Sequence, residues 1–293
     1  MNHRNRAPQG QLDRVDPFDA RQFEIVVRRL ATSLSYGTDH SPFLGSGIEY
    51  VQSRPYVAGD PVRIIDWRVT ARTGKPFVKE YESVKSMPCH LLFDTSASMT
   101  VSSHAKSKYA TALYVAGGLA FACLDRVSPV GLVGVGGPGL RLRPSLSRSQ
   151  VMQWLTQLRG YRYDEQTSLA QQIRELTPSL TERVLMVVLS DLHDEGAVAA
   201  LKRLVQLHDV CVVQFMDPAE AGLRGAGLVR AREAETGREF VGHGRQSWMD
   251  PQKVAQELRR AGIDHLVIRT DLPYLHLLAN FFSRRGVLGR QAR

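Results

Sequence analysis

The 293-residue chain is 43% hydrophobic and 23% charged, with 24 glycines and 14 prolines. That balance belongs to a globular protein and excludes a disordered, collagen-like or coiled-coil chain. The formal net charge of +9 invites nucleic-acid or anionic-membrane binding. Part of the excess, however, sits in the tails, at Arg4, Arg6 and Arg14 and at Arg284, Arg285, Arg290 and Arg293. No block of five or six consecutive basic residues occurs, so specific nucleic-acid binding is not expected. Length predicts roughly two domains, or one full-sized domain with an appendage.

The N-terminus is polar with no apolar stretch behind it, which argues against a signal peptide. The longest apolar run, Ala112 to Leu124, is too short to span a bilayer and ends at Asp125. A cytoplasmic location without a transmembrane segment is the expectation. Cys89, Cys123 and Cys211 lie far apart along the chain, two of them in apolar runs. They read as buried thiols in a reducing compartment, with neither disulfide framework nor zinc spacing.

In chain order, residues 1–18 read as a flexible leader. Asp19 can cap a helix whose Phe23, Val26, Val27, Leu30 and Leu34 share one face. Gly37 to Gly47 is loop-like. The segment Glu49 to Glu82 interleaves charges with Tyr50, Tyr56, Trp67, Phe77 and Tyr81 and contains short β-like pieces. These parts form a smaller N-terminal mixed α/β segment over 19–87.

From Pro88 onward apolar strands alternate with helices. Strands are predicted at Cys89–Phe93, Val130–Val135, Val184–Leu189, Val210–Phe215 and His265–Ile268, with Leu140–Arg143 as an edge strand. Helices are predicted over Lys106–Leu124, Gln150–Leu158, Leu169–Leu176, Gly196–Leu207, Pro251–Ala261 and Leu275–Phe282. Tyr161 to Thr167 reads as a polar loop. The alternation predicts an α/β fold over 88–293, a doubly wound and mostly parallel sheet with helices on both faces. Residues 217–248 interrupt it and read as a hairpin insertion around Glu235-Thr-Gly237.

Polar residues gather at the predicted strand ends. Asp94 follows the first strand of the sheet and opens Asp94-Thr-Ser96-Ala-Ser98; Asp191 follows the most hydrophobic strand. Ligands of open parallel sheets bind outside the carboxyl ends of the strands, where strand order reverses. Gln166-Thr167-Ser168 forms a further loop-to-helix junction. These residues offer two carboxylates and several hydroxyls, a hard all-oxygen set that suits Mg²⁺, or Mn²⁺ as second choice, over zinc.

The series Asp94-Thr-Ser96-Ala-Ser98, Thr167 and Asp191 resembles the metal-ion-dependent adhesion site (MIDAS) of von Willebrand factor A (vWA) domains. The run Arg54-x-Tyr56-x-x-Gly59-Asp60-x-x-Arg63-x-Ile65-Asp66-Trp67-x-x-x-Ala71-Arg72 resembles the bacterial DUF58 family, where it precedes a vWA-like domain. The resemblance covers about residues 45–285. It implies a vWA-like, Rossmann-like sheet and a non-enzymatic protein-binding metal site. Ser96, Ser98 and Thr167 would be direct ligands, with Asp94 and Asp191 beside them; Ser168 is the alternative to Thr167. It also implies association with a MoxR-type AAA+ ATPase and its client, the chain acting as an adaptor.

Plainer readings stand beside these. Asp94 and Ser98 can cap the helix that follows them, and Asp191 can be a loop acid. His193 and Asp194 read as a solvent-facing pair, and the Arg54 to Arg72 run as a structural element pinned to the vWA-like domain by ion pairs or, otherwise, as a partner-facing surface. Gly134-Val-Gly136-Gly-Pro-Gly139 matches a dinucleotide fingerprint but leads into a predicted edge strand instead of a helix. No G-x-x-x-x-G-K-[ST] and no G-x-S-x-G occurs. The alternative function is a metal-dependent hydrolase with an open Mg²⁺ site, whose general base would be His193, Asp194 or Asp164.

Overall fold

The computed structural model describes residues 9–11, 25, 27–32, 48–60, 62–83, 87–136, 140–162, 166–221, 228–232, 239–243 and 251–287. The Gly37 to Gly47 loop, the Glu235-Thr-Gly237 turn and Asp19, Phe23, Val26, Leu34 and Asp164 fall outside these.

Its elements in chain order are β1 (Gln9–Gln11), α1 (helical residues 25 and 27–32), β2 (Ile48–Pro55), α2 (Trp67–Thr73), β3 (Phe77–Ser83) and β4 (Cys89–Phe93). Then follow α3 (Lys108–Asp125), β5 (Val130–Gly134), β6 (Arg141–Ser145), α4 (Arg148–Gln157), β7 (Gly160–Arg162), α5 (Leu169–Leu176) and β8 (Leu185–Ser190). The chain continues through α6 (Ala197–Leu204), β9 (Asp209–Met216), β10 (Leu228–Arg232), β11 (Glu239–His243), α7 (Pro251–Arg260), β12 (Asp264–Arg269) and α8 (Leu275–Val287). No described helix is long and apolar enough to cross a membrane.

The expected doubly wound, mostly parallel sheet is present. Six strands run in the order β12-β9-β8-β4-β5-β6, and all neighbours are parallel except β5 and β6. The chain lays β4, β5 and β6 outward on one side, then returns to lay β8, β9 and β12 on the other. Strand order therefore reverses between β4 and β8, which places the crevice of such a sheet at their carboxyl ends.

Strand periodicity sorts the apolar side chains into two layers. Leu91, Phe93, Val187, Leu189, Val213 and Phe215 face one side and pack with α1, α3, α4 and α8. Leu92, Met186, Val188, Val210 and Val212 face the other and pack with α5, α6 and α7. Burial on both faces is why β4, β8 and β9 read as largely apolar runs without alternation. The edge strand β6 lies slightly later than predicted and tolerates Pro144, whose missing N–H costs nothing at an edge.

Two features depart from the sequence reading. Gln9–Gln11, inside the predicted flexible leader, pairs antiparallel with Gly160–Arg162, inside the predicted polar loop. Three-residue strands carry too little periodicity to be seen locally. In addition, α1 does not stay with the N-terminal segment: Val27, Leu30 and Ala31 belong to the main core. Gly117 and Gly118 of α3 make that approach possible, since a Cβ at Gly118 would stand 2.4 Å from Leu30 Cγ.

The segment between β2 and β3 is a small unit of its own. β2 and β3 pair antiparallel, and α2 lies between them in sequence. Asp66 caps α2, accepting from the amides of Arg68 (3.1 Å) and Val69 (3.2 Å), and takes the Ser53 hydroxyl at 2.7 Å. The Arg54 guanidinium grips Asp60 through two 2.8 Å bonds. This ion pair lies within the segment, between two residues of the Arg54 to Arg72 run. The predicted hairpin insertion is seen as the antiparallel pair β10–β11.

The three cysteines, distant in sequence, are all buried. Cys89 and Cys123 are hydrogen-bonded, which with burial pushes the Cys89 thiol up, and burial pushes Cys211 to about 12. They are packing thiols.

Candidate functional site at the carboxyl ends of β4 and β8

Asp94 directly follows β4, and Asp191 directly follows Ser190, the last residue of β8; the Asp94 amide donates to the Leu189 carbonyl at 2.9 Å. Because these strands are neighbours, the two carboxylates meet at the reversal point. Asp94 and Asp191 are essentially inaccessible, as are Ser96 and Ser190. Asp94 Oδ1 accepts from the Ser96 amide at 3.0 Å and Oδ2 accepts from the Ser190 hydroxyl at 2.5 Å.

A line of hydroxyls joins the two acids. Ser96 bonds to Asp94, the Ser96 and Ser98 Oγ atoms are 3.0 Å apart, and Ser98 bonds to Asp191. The tight turn predicted for Asp94-Thr-Ser96-Ala-Ser98 is real: a 3-10 turn over Ala97–Thr100 follows Ser96 directly. Ser96 makes no capping hydrogen bond to that turn, and Asp94 spends Oδ1 on the Ser96 amide.

The loop before α5 is tied to the strand next to Asp94 through the backbone. The Ser168 amide donates to the Val135 carbonyl, and the Val135 amide donates to the carbonyl of Phe93, the residue before Asp94, both at 2.9 Å. Ser168 commits its hydroxyl to the carbonyls of Val135 (3.1 Å) and Gly136 (3.0 Å).

The turn after β8 is strained. Leu192 is buried yet adopts φ 62°, a conformation that costs a non-glycine residue about 1–2 kcal/mol. Its amide is held by the Ser190 hydroxyl at 2.9 Å. This turn brings Asp194 back to the protein, where Oδ2 accepts from the Ala170 amide and Oδ1 from the Gly196 amide, both at 2.8 Å. The expected solvent-facing His193–Asp194 pair is thus corrected. Asp194 staples the starts of α5 and α6, and half-buried His193 turns Nδ1 to 3.7 Å from Asp191 Oδ2.

Sequence reasoning missed the partner of Asp191. Lys108, fully buried in the first turn of α3, donates from Nζ to Asp191 Oδ2 at 2.7 Å and also to Glu220. Glu220 lies in a 3-10 turn, Pro218–Ala221, that follows β9. The available signal was one lysine opening an otherwise apolar helix. Asp191, His193 and Glu220 place ligand atoms within 4.8 Å of one another, but the Lys108 ammonium already binds two of the three.

Protonation follows this layout. Burial first, and the Asp191 charge second, push Asp94 up to about 7 against the Ser190 and Ser96 hydrogen bonds. Burial works to raise Asp191 as well, but the Lys108 and His193 charges hold it below the usual carboxylate range. Burial works to lower Lys108, and Asp191 with Glu220 override it and raise its pKa.

A divalent cation fits this donor set. The 3.0 Å separation of the Ser96 and Ser98 oxygens matches neighbouring corners of an Mg²⁺ octahedron, about 3 Å apart for bonds of about 2.1 Å. Three carboxylates against one ammonium leave a formal charge of −2 when all are ionised, the complement of one dication.

Comparison with known proteins agrees with the N-terminal signature. Uncharacterized proteins of Mycobacterium tuberculosis and Mycobacterium bovis are each 28% identical over 290 residues, spanning 92% of this chain and 90% of theirs. A crystal structure of the conserved hypothetical protein BatB from Bacteroides thetaiotaomicron superposes with a TM-score of 0.48 at 18% identity, over 69% of this chain and 100% of that one. The family described as "Protein of unknown function DUF58" matches residues 52–249, well over half of the sequence, and the chain belongs to it.

Proposed function

We propose that the chain is a non-enzymatic protein-interaction module that binds an acidic group of a partner through a MIDAS-type site at the β4/β8 rim. One observation carries the reading: Asp94 and Asp191, from distant parts of the chain, converge and are joined through the hydroxyls of Ser96 and Ser98. Asp94, Ser96, Ser98 and Thr167 would hold Mg²⁺, or Mn²⁺, with Asp191 beside them. The ion would supply an electrophilic position open to a partner's Asp or Glu. The protein's own part is to hold the oxygens in place and to exclude water from the acids.

Family likeness supports a MoxR-type AAA+ ATPase and its client as the partners, with the chain as a cytoplasmic adaptor in complex maturation or remodelling; such analogy warrants less than site geometry. In the hydrolase alternative Asp194 would have to act as base while it holds the amides of Ala170 and Gly196. The test is a binding measurement against the MoxR-type ATPase and its client, with Mg²⁺ and with EDTA. Asp94→Ala and EDTA should each abolish binding by the wild type. Equal binding by Asp94→Ala would overturn the proposal.

A further inference from the structure

We propose that Lys108 is a tethered cation that competes with the divalent ion for Asp191, confining that ion to the Asp94–Ser96–Ser98 side. The inference rests on the metal-site reading above and deepens it. A lysine is costly at this position for two reasons. Its side chain has no solvent access, and it sits in the first turn of α3, where the helix dipole disfavours positive charge. The rest of the helix is buried and largely apolar, so an uncharged residue would pack there without that cost. What the ammonium gains is Asp191 and Glu220.

The two acids of the rim differ in consequence. Asp94 receives only neutral donors, the amide and hydroxyl of Ser96 and the Ser190 hydroxyl, and three donors on its four lone pairs leave one for a cation. Asp191 carries a full positive charge on Oδ2, while Oδ1 takes the His193 amide at 3.3 Å and its carbonyl takes Gln214 Nε2 at 3.1 Å. A dication in direct contact with Asp191 would lie against the ammonium and be repelled. On Asp94 it gains the hydroxyls of Ser96 and Ser98 without that repulsion. Glu220 also holds the ammonium, tying the site to the 3-10 turn that follows β9.

The test is Mn²⁺ binding to the full chain, read by calorimetry and by the spectrum of free Mn²⁺, with folding checked by circular dichroism. Wild type should bind, and Asp94→Asn should weaken binding about a hundredfold. Asp191→Asn should cost wild type less than about threefold. Lys108→Met should tighten binding at least about tenfold, and in that background Asp191→Asn should cost at least about tenfold. If Lys108→Met does not fold, Lys108→Met/Glu220→Gln removes one charge of each sign and should show the same gain. Unchanged or weaker binding by a folded Lys108 variant, or an equal Asp191→Asn cost in both backgrounds, overturns the inference and leaves the metal site standing. Binding by Lys108→Met alone upholds the competition but overturns the native metal site. Absence of binding in every variant overturns both.

Discussion

Lys108 Nζ lies 2.7 Å from Asp191 Oδ2 although 83 residues separate the two in sequence. The contact joins the first turn of α3 to the carboxyl end of β8, beside the point where the sheet reverses its strand order. Removing one partner of such a buried pair leaves the other charge unsolvated. Lys108→Ala should therefore destabilise the metal-free protein by about 3–5 kcal/mol. Urea unfolding in EDTA measures this, and a loss below about 1 kcal/mol would show that the pair is not buried as described.

The pH dependence of metal-free stability should carry the mark of Asp94. Its pKa is raised from 3.8 to about 7. Between these values the folded chain keeps a proton that the unfolded chain has released, so stability falls as pH rises from about 4 to about 7. Asp191 is shifted downward, so its contribution is present above its unfolded value and lost as acid protonates it. In EDTA, Asp94→Asn should gain stability relative to wild type progressively between pH 4 and 7. Melting curves with a constant difference across that window would contradict the assignment.

Gly118 is the contact point for α1. A Cβ there would stand 2.4 Å from Leu30 Cγ, so Gly118→Ala sets about 1 kcal/mol of helix propensity against about 1–3 kcal/mol of overpacking. The net should be a loss of stability, with α1 more readily cut by protease within residues 25–32. Limited proteolysis of the two proteins decides it; equal cleavage would mean that Leu30 moves aside without cost.

Asp66 should hold the β2–β3 unit together locally. Asp66→Ala removes the cap of α2 and the Ser53 bond, and should speed hydrogen exchange at the Arg68 and Val69 amides several-fold. Exchange within β8 should not change, because these bonds lie inside the unit.

Much of this protein was legible locally. The apolar runs of β4, β8 and β9, the amphipathic helices α5, α6 and α7, and Asp94 and Asp191 at strand ends all follow from periodicities that neighbouring residues share. The sheet's two buried faces explain why those strands lack alternation. Sequence order alone could also place Asp94-Thr-Ser96-Ala-Ser98 in one tight turn.

Other features required distant parts of the chain to meet. Ser168 reads as one more rim hydroxyl until the carbonyls of Val135 and Gly136 are seen to take its hydrogen. Asp194 reads as half of a solvent-facing pair with His193 until the starts of α5 and α6 are seen to share it. Lys108 looks misplaced in an apolar helix until Asp191 and Glu220 arrive from β8 and β9. Periodicity reports which face of an element is buried, because burial repeats along the chain. A charge inside the protein is satisfied by one partner at one distance, and only tertiary packing selects which partner that is.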